Sequence, residues 1–512
     1  MKDALVLRSP NIKNSFYSRI FSITGLLWGY LLVHVLVWGL LPFLVRYTVS
    51  HDTIEALVWG QNLQLGYDKN PYLIGWITHF ILKLGSYSVI AYYLLQQVWM
   101  ALGFWSVWKL GNLLFNPYKA FVATVILQAC LYFTVYTQTN SDNYLLIGLW
   151  SLSAYTFFLA YRTELKRYWL ITGLALGLAC MAKYSSLLFA AALLLFLIFQ
   201  KDRRNVLQKP GIYIAILVAF AICLPNFIWL YHNNFISLRY IFYRGNSDYK
   251  LVLFGHPAYI FNFVQNLLLN FLGAFILFAL TKPKWSRSTK YSWFLCAISV
   301  FPILLIMLIA LIVGQKVYWE WGAPFVIFWG LVLVNFFEPS ESEATRLRLG
   351  VGVVTMLLIT ACANVFENCY LGAGKGSGDY PAKQVAAYVT DIWKANFHKP
   401  LRYVAGSRFA AGYVSLYSED KPRVYVEWDD RLSPGVSEKD IKKYGAIFLQ
   451  DGEYGVGFSP EGYKYPWQFP DSVMKKYPNL IVLPIQIFPY NRSVANSSNV
   501  YLLIGILPPN ST

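Results

Sequence analysis

The sequence predicts an all-α polytopic membrane domain, with about eleven transmembrane helices, followed by a small α/β extracytoplasmic domain. Three observations lead there. Apolar runs, each long enough at about 20 residues to cross hydrocarbon, recur along the first 370 residues. Charged residues make up 13% of the chain and mean hydropathy is +0.43; soluble domains carry about 25% charge, so a soluble enzyme is excluded. Near the end the pattern changes to short strands alternating with amphipathic helices.

By apolar run length the spans fall at 21–45, 86–112, 119–137, 143–161, 168–182, 185–200, 211–231, 257–280, 291–313, 317–337 and 348–368. The two halves meeting around Met181–Ser186 are short for full crossings. The first run is too long and lacks a small-residue cleavage site, so it is expected to stay as a span. Orientation follows from Lys and Arg in short loops. Lys2, Arg8, Lys13 and Arg19 share one side with Arg162, Lys166 and Arg167. Lys201, Arg203, Arg204 and Lys209 join them, as do Lys282, Lys284, Arg287 and Lys290. That side is cytoplasmic. The outer side then receives loops 46–85, 138–142 and 232–256, the turns near 183 and 316, and everything after 369.

The division is a membrane domain over 1–370, a Gly-rich linker over 371–380 and a soluble domain over 381–512. In the outer loop 46–85, residues 71–85 read as a helix lying in the interface; loop 232–256 reads as a second interfacial lid. In the soluble part, strands are expected at Leu401–Ala405, Arg423–Glu427, Ala446–Leu449, Leu480–Ile487 and Val500–Leu507. Helices are expected at 381–396 and 408–418.

A net charge of +17 raises nucleic acid as a partner, but the cations follow the topology and form no basic patch interleaved with aromatics. Nucleic acid is therefore not expected. Five of the six cysteines lie inside apolar runs and Cys369 sits just beyond one, so neither a disulfide framework nor a metal-type Cys/His spacing is present.

The residues that suggest chemistry gather at outer membrane edges. His51, Asp52 and Glu55 follow the first span: an acid there is a candidate general base, or a solvated boundary marker. Asp68-Lys69-Asn70-Pro71 comes next; Lys69 can neutralise a lipid phosphate as a compact point charge, or snorkel at the interface. Asn140, Asp142 and Asn143 open the fourth span, as site residues or as helix caps. Lys183-Tyr184 sits between two apolar runs, where a retained charge tends to pair or to line a cavity. Lys316 and Glu320 are spaced to pair with each other, and Arg244 lies in the second large loop. A pore or transporter would place charge nearer mid-membrane on broken helices.

These pieces resemble the GT-C glycosyltransferases of the protein O-mannosyltransferase and aminoarabinose (lipid A) transferase superfamily. The resemblance rests on HDTIEA, YDKNPYLIGW, TNSDNYLLIGLW, GLALGLACMAKYSSLLF and LPNFIWLYHNNFISLRY, in that order over residues 20–340. It implies a GT-C fold, a polyprenyl (undecaprenyl) phosphate sugar donor and transfer on the outer leaflet. Asp52 then corresponds to the loop acid that serves as base, and Asp142 to the second acid. The family's adjacent Asp-Glu pair is Asp52-Thr53 here, with Glu55 offset. Lys69 falls where the aminoarabinose branch has a lysine before two prolines, of which Pro71 alone remains. The catalytic set read from this is Asp52, Asp142 and Glu55; the substrate-binding set is Lys69, Lys183, Arg244, Asn143, Tyr184, His51 and Lys316.

The expected reaction moves a sugar, with inversion, to lipid A or another outer-leaflet envelope glycan, at the periplasmic face of a bacterial inner membrane. No cofactor is required, and a divalent metal is left open. The rivals are a lipid flippase or exporter and a surface polysaccharide polymerase.

Overall fold

The computed structural model describes residues 22–84, 88–137, 141–201, 203–245, 257–286, 291–313, 316–371, 376–433, 435–451, 468–492 and 499–510. The membrane domain begins with α1 (Ile23–Val45), started by Ser22, whose hydroxyl accepts from the Gly25 N–H. The chain then enters α2 (His51–Gly60), in a stretch that reads from sequence as an irregular polar loop. Ser50 explains the difference. Its hydroxyl accepts from the Thr53 N–H at 3.3 Å, Asp52 occupies the first turn where the helix dipole favours an acid, and Ile54, Leu57 and Val58 give the helix a buried stripe. The expected interfacial helix follows as α3 (Leu73–Leu84).

The next helices are α4 (Val89–Leu114), α5 (Pro117–Val125), α6 (Ser141–Thr163), α7 (Lys166–Ala182), α8 (Ser186–Ile198), α9 (Arg203–Leu207) and α10 (Pro210–His232). They are followed by α11 (Ile236–Gly245), α12 (Pro257–Ala279), α13 (Ser292–Ser299), α14 (Phe301–Val313), α15 (Trp329–Phe336) and α16 (Glu343–Phe366). Among the described residues six helices are long and apolar enough to cross a membrane, or seven if one bent pair counts as a span. The other expected spans differ for local reasons. The run at 119–137 is α5 followed by two short 3₁₀ turns; its apolar side chains record burial rather than helical continuity. The run at 317–337 is a 3₁₀ segment containing Pro324, bent by 51° against α15. The run at 291–313 is one of the six, interrupted at Val300 between α13 and α14 just before Pro302, which has no N–H to continue the ladder. The 13-residue α8 is short for a crossing, as its length suggested.

The helix ends define two faces. Arg162 and Lys166 cap the loop between α6 and α7, and Lys209 precedes α10. On that same face β1 (Lys284–Trp285) pairs antiparallel with β2 (Phe337–Glu338), tied by a Lys119–Glu338 ion pair at 2.7 Å. The opposite face receives the end of α1, all of α2, the start of α6, the end of α7 and the end of α10.

The soluble domain contains α17 (Ala382–Phe397), β3 (Tyr403–Gly406), α18 (Arg408–Tyr417), β4 (Arg423–Val426), α19 (Glu438–Tyr444) and β5 (Ala446–Asp451). It closes with α20 (Asp471–Lys476), β6 (Ile481–Val482), β7 (Gln486–Pro489) and β8 (Asn499–Leu507). The sheet order is β4-β3-β5-β8-β6, with β7 also on β8. Strand β3 is parallel to β4 and β5, and β8 runs antiparallel to β5. The strand expected at 480–487 is split: Pro484 cannot donate to the ladder, and the pairing on β8 slips by one residue between β6 and β7, as at a bulge.

Two features dock this domain on the membrane face. The segment expected as a free linker is pinned, because the Tyr47 and Thr48 N–H groups donate to the Gly378 carbonyl at 2.9 and 3.2 Å. One apolar core then runs through both domains, uniting Val49, Ile54 and Leu57 with Val389, Tyr413, Val414 and Leu449. Helix α18 lies directly on α2: a Cβ added at Gly412 would sit 2.4 Å from Ile54 Cγ2, so only glycine allows this approach. Gly412→Leu is expected to lower the melting temperature of the detergent-purified protein by several degrees, through overpacking worth about 1–3 kcal/mol. It should also speed protease cleavage of the soluble domain. Unchanged melting and cleavage would contradict the tight docking.

Candidate active site

Short turns and helix ends on the outer face deliver the polar groups. Residues 62–72 return from α2 to α3 through a narrow bend, in which the Tyr67 N–H donates to the Asn70 carbonyl at 2.9 Å. The Tyr67 hydroxyl donates to the Asn62 carbonyl at 2.8 Å. This bend presents Asp68, Lys69 and Asn70 side by side. Across from it stand the first turn of α6, carrying Asp142 and Asn143, and Lys183 at the end of α7.

The first knot joins the two domains. The Lys69 ammonium meets the Glu55 carboxylate at 2.6 Å and lies 5.1 Å from the centre of the Tyr240 ring on α11. The same Glu55 oxygen accepts from Arg408 at 2.6 Å, and the other arm of that guanidinium reaches Asp68 at 2.7 Å. Arg408 is 5% exposed; its guanidinium faces the Trp59 ring, and the Trp59 N–H donates to Asp68 at 3.0 Å. Burial alone would raise the Glu55 carboxyl, but Lys69 and Arg408 together hold it at about 2. Lys69 and Arg408 are in turn held charged: burial opposes their charge, and the surrounding carboxylates outweigh it.

The second knot belongs to the membrane domain. Lys183 meets Asp142 at 3.0 Å and donates to the Asn143 side-chain oxygen at 3.1 Å. Asn143 donates onward to the Glu320 carbonyl at 3.0 Å, and the Trp321 ring lies 5.9 Å from the ammonium. Asn70 donates to Asp142 at 3.4 Å, so consecutive residues of one bend, Lys69 and Asn70, connect the two knots. Asp52 lies one helical turn before Glu55 on α2, half-buried and within electrostatic reach of Tyr144, beside Asn143.

The structure thus gathers Glu55, Lys69, Asp142, Asn143 and Lys183 through direct contacts, with Asp52 close by. It places other expected members differently. His51 packs its ring on Phe409 of α18, centres 4.2 Å apart. Burial and then Arg46 pull its imidazole down to about 4, so it is neutral at pH 7, packed where the two domains meet. The Tyr184 hydroxyl bonds Asn226 at 3.0 Å, and Asn226 donates to the Leu65 carbonyl at 2.7 Å, which braces the bend from behind. Lys316 lies over the Tyr259 ring on α12 at 5.3 Å, on the outer rim. Arg244 falls on α11 and its side chain lies outside the described residues, as do Asn140 and residues 246–256 of the second lid. Among the described residues no group of three or more His, Cys, Asp or Glu is arranged to hold a metal ion.

Two groups near the first knot were not legible as site residues: Arg408 and Glu427, both from the soluble domain. Arg408 offers one signal in retrospect. It is a cation in the first turn of a helix, where the macrodipole disfavours it, so something outside the helix had to compensate.

Residues 69–229 match the family model for dolichyl-phosphate-mannose-protein mannosyltransferases. The chain is 23% identical over 436 residues to the lipopolysaccharide core galacturonosyltransferase RgtA of Rhizobium johnstonii, covering 80% of this chain and 83% of that one. In three dimensions it is similar to ArnT from Cupriavidus metallidurans bound to undecaprenyl phosphate, with a TM-score of 0.61 at 14% identity over 94% of this chain and 98% of that one. The apo form of the same enzyme aligns with a TM-score of 0.57 at 12% identity, covering 93% and 98%. With the helical membrane domain and outer α/β domain, these likenesses show that the chain shares the fold of this membrane enzyme from end to end.

The first knot predicts a pH signature. Glu55 has its folded pKa depressed from 4.5 to about 2, so its stabilisation is complete above about pH 4.5 and is lost as pH falls through about 2. The melting-temperature advantage of the wild type over Glu55→Gln is expected to shrink across that window. At neutral pH, Arg408→Met should destabilise by about 3–5 kcal/mol, because the largely shielded Asp68 loses its cation and Glu55 keeps only Lys69. Thermal melts of purified protein check both; equal melts for wild type and Arg408→Met would contradict the burial of the knot.

Proposed function

We propose that this protein transfers a sugar from a polyprenyl-phosphate donor to lipid A or another outer-leaflet envelope glycan, at the periplasmic face of a bacterial inner membrane. The observation that carries this reading is the pair of lysine–acid knots joined through Lys69-Asn70, on the face opposite the Lys- and Arg-rich loops. Short cytoplasmic loops hold the excess of positive charge, so the knots face outward, at headgroup depth. The family match and the undecaprenyl phosphate in the similar ArnT structure support the donor class. The similarity to a lipopolysaccharide core galacturonosyltransferase supports an envelope glycolipid as acceptor.

The chemistry follows from the charges. A polyprenyl phosphate is a competent leaving group, and departure concentrates negative charge on its oxygens. Lys69, paired with Glu55, and Lys183, paired with Asp142, are placed to take up that charge. Glu55 is then a positioning residue: its depressed pKa suits it to hold Lys69 and not to take a proton. Asp52, one helical turn before Glu55 on α2 and half-buried, is the base. It removes the proton as the acceptor hydroxyl oxygen bonds to the anomeric carbon. The carbon–oxygen bond to phosphate breaks on the opposite face, and its electron pair leaves with the phosphate. Asp142, held between Lys183 and Asn70, orients the sugar. Helices α3 and α11 flank the bend and limit access of water, which would otherwise hydrolyse the donor.

Asp52→Asn is expected to cut transfer by about 10²–10⁴-fold, the usual range for loss of a general base, while undecaprenyl phosphate still binds. Lys69→Met should weaken undecaprenyl phosphate binding at least tenfold. Mass spectrometry of envelope lipids from strains with and without the protein supplies the readout. A product carrying one added sugar supports transfer. A ladder of sugars, or no mass difference with the protein present, overturns it.

A further inference from the structure

We propose that the carboxyl end of β4 is a carbohydrate subsite of the same active site, in which the Glu427 carboxylate accepts hydrogen bonds from hydroxyls of the acceptor glycan. This rests on the transferase reading above and extends it to the soluble domain.

The placement is topological first. The connection from β3 through α18 runs to β4 on one side, while the return through α19 runs to β5 on the other side of β3. Strand order therefore reverses between β3 and β5, and in open α/β sheets ligands bind in the crevice beyond the carboxyl ends of the strands at such a point; β4 is the next strand over, and its carboxyl end borders that crevice. Those ends face the membrane domain. Ser407 follows β3, and Arg408 after it grips Glu55 and Asp68. Glu427 follows β4 directly, its N–H donating to the Gly406 carbonyl at 2.8 Å.

The backbone there is unusual. Glu427 and Trp428 take φ of 49° and 56° in succession, a left-handed conformation that side chains resist. It is fixed by surrounding bonds: the Val426 N–H donates to the Ser433 hydroxyl at 2.7 Å, and the Asp429 N–H to the Val426 carbonyl at 3.0 Å. Strain retained in this way concentrates at ligand sites. Its effect is to turn Glu427 out of the sheet toward the first knot.

The pairing around it is the second argument. Glu55, Asp68, Lys69 and Arg408 are all committed to one another. Glu427 feels both Arg408 and Lys69, yet its carboxylate has no hydrogen bond or ion pair among the described residues. Burial raises its pKa, and the two cations only partly offset this. A largely shielded carboxylate with free lone pairs, beside cations already spoken for, suits neutral hydroxyl donors. The partly exposed Trp428 indole, edge-on to Phe469 at 6.2 Å, adds an apolar wall. Because Glu427 comes from the domain lying outside the bilayer, it is assigned to the glycan part of the acceptor, which projects from the membrane, and separate titrations of acceptor and donor distinguish this from contact with the donor's sugar.

The test uses full-length protein in vesicles supplied with two fractions from the envelope of a strain lacking it: glycolipid as acceptor and polyprenyl-phosphate-linked sugar as donor. Each fraction is titrated separately. Glu427→Ala is expected to raise KM for the glycolipid fraction by about 10–100-fold, the scale of losing hydrogen bonds to a charged group. Glu427→Gln, which keeps one acceptor oxygen, should fall between Glu427→Ala and wild type. KM for the donor fraction and the Kd for undecaprenyl phosphate should stay within about twofold of wild type. An unchanged glycolipid KM in Glu427→Ala overturns the proposal, as does a donor KM that rises in parallel, which would assign the contact to the transferred sugar. No product from wild type would overturn the transferase reading itself, an outcome separable from both.

Discussion

One guanidinium joins the two halves of this molecule. Arg408 starts a helix of the soluble domain and closes on Glu55 and Asp68 from the first outer segment of the membrane domain. Buried charges are costly unless they are paired and hydrogen-bonded, so neither half can form this arrangement alone. Without Arg408, Glu55 would be a buried carboxylate facing a single lysine; without the membrane domain, Arg408 would be a buried cation at the wrong end of a helix dipole. The knot therefore fixes where Lys69 stands, and through Asn70 it reaches the Asp142–Lys183 pair.

Packing makes this electrostatic join dependable. Helix α18 can lie on α2 only because Gly412 lacks a side chain, and the shared core places Ile54 and Tyr413 in one cluster. The Gly378 carbonyl takes the Tyr47 and Thr48 N–H groups, which leaves little slack between the last span and the soluble domain. A rigid roof over an outward-facing lysine–acid array suits chemistry in which water must be kept from a reactive lipid-linked sugar. Holding the first knot charged costs desolvation energy, and the depressed pKa of Glu55 measures how far its two cations offset that cost.

Much of this was legible in the sequence, for identifiable reasons. Apolar runs marked the membrane domain, and Lys and Arg in short loops separated its two faces, because both reflect the solvent each segment meets. In the soluble domain the strands and the two longer helices followed from alternation and amphipathicity, apart from the interruption at Pro484; the short helices Glu438–Tyr444 and Asp471–Lys476 were not expected, being too brief to show a helical period. The clustering of Lys69, Asp142, Asn143 and Lys183 was approached through the order of polar loops on one side. What stayed hidden was long-range. Arg408 and Glu427 lie more than 300 positions from Glu55 and Lys69, and nothing local marks a pairing made by domain docking. The helicity of α2 was missed because its polar residues suggested a loop, although Ser50 and the Ile54–Leu57–Val58 stripe carried the signal. His51 looked like a ligand because it was polar and near the membrane; its ring is a packing surface against Phe409.

The central claim is that the soluble domain sets the charge and position of Lys69, the lysine proposed to meet the lipid phosphate. A double-mutant cycle between Arg408→Met and Lys69→Met, read as the Kd for undecaprenyl phosphate in the full-length protein, tests it most directly. The account expects non-additivity, with a coupling of about 1–3 kcal/mol, because Arg408 acts on the ligand through Lys69. Free-energy losses that add to within about 0.5 kcal/mol would contradict it and separate the two domains as independent parts.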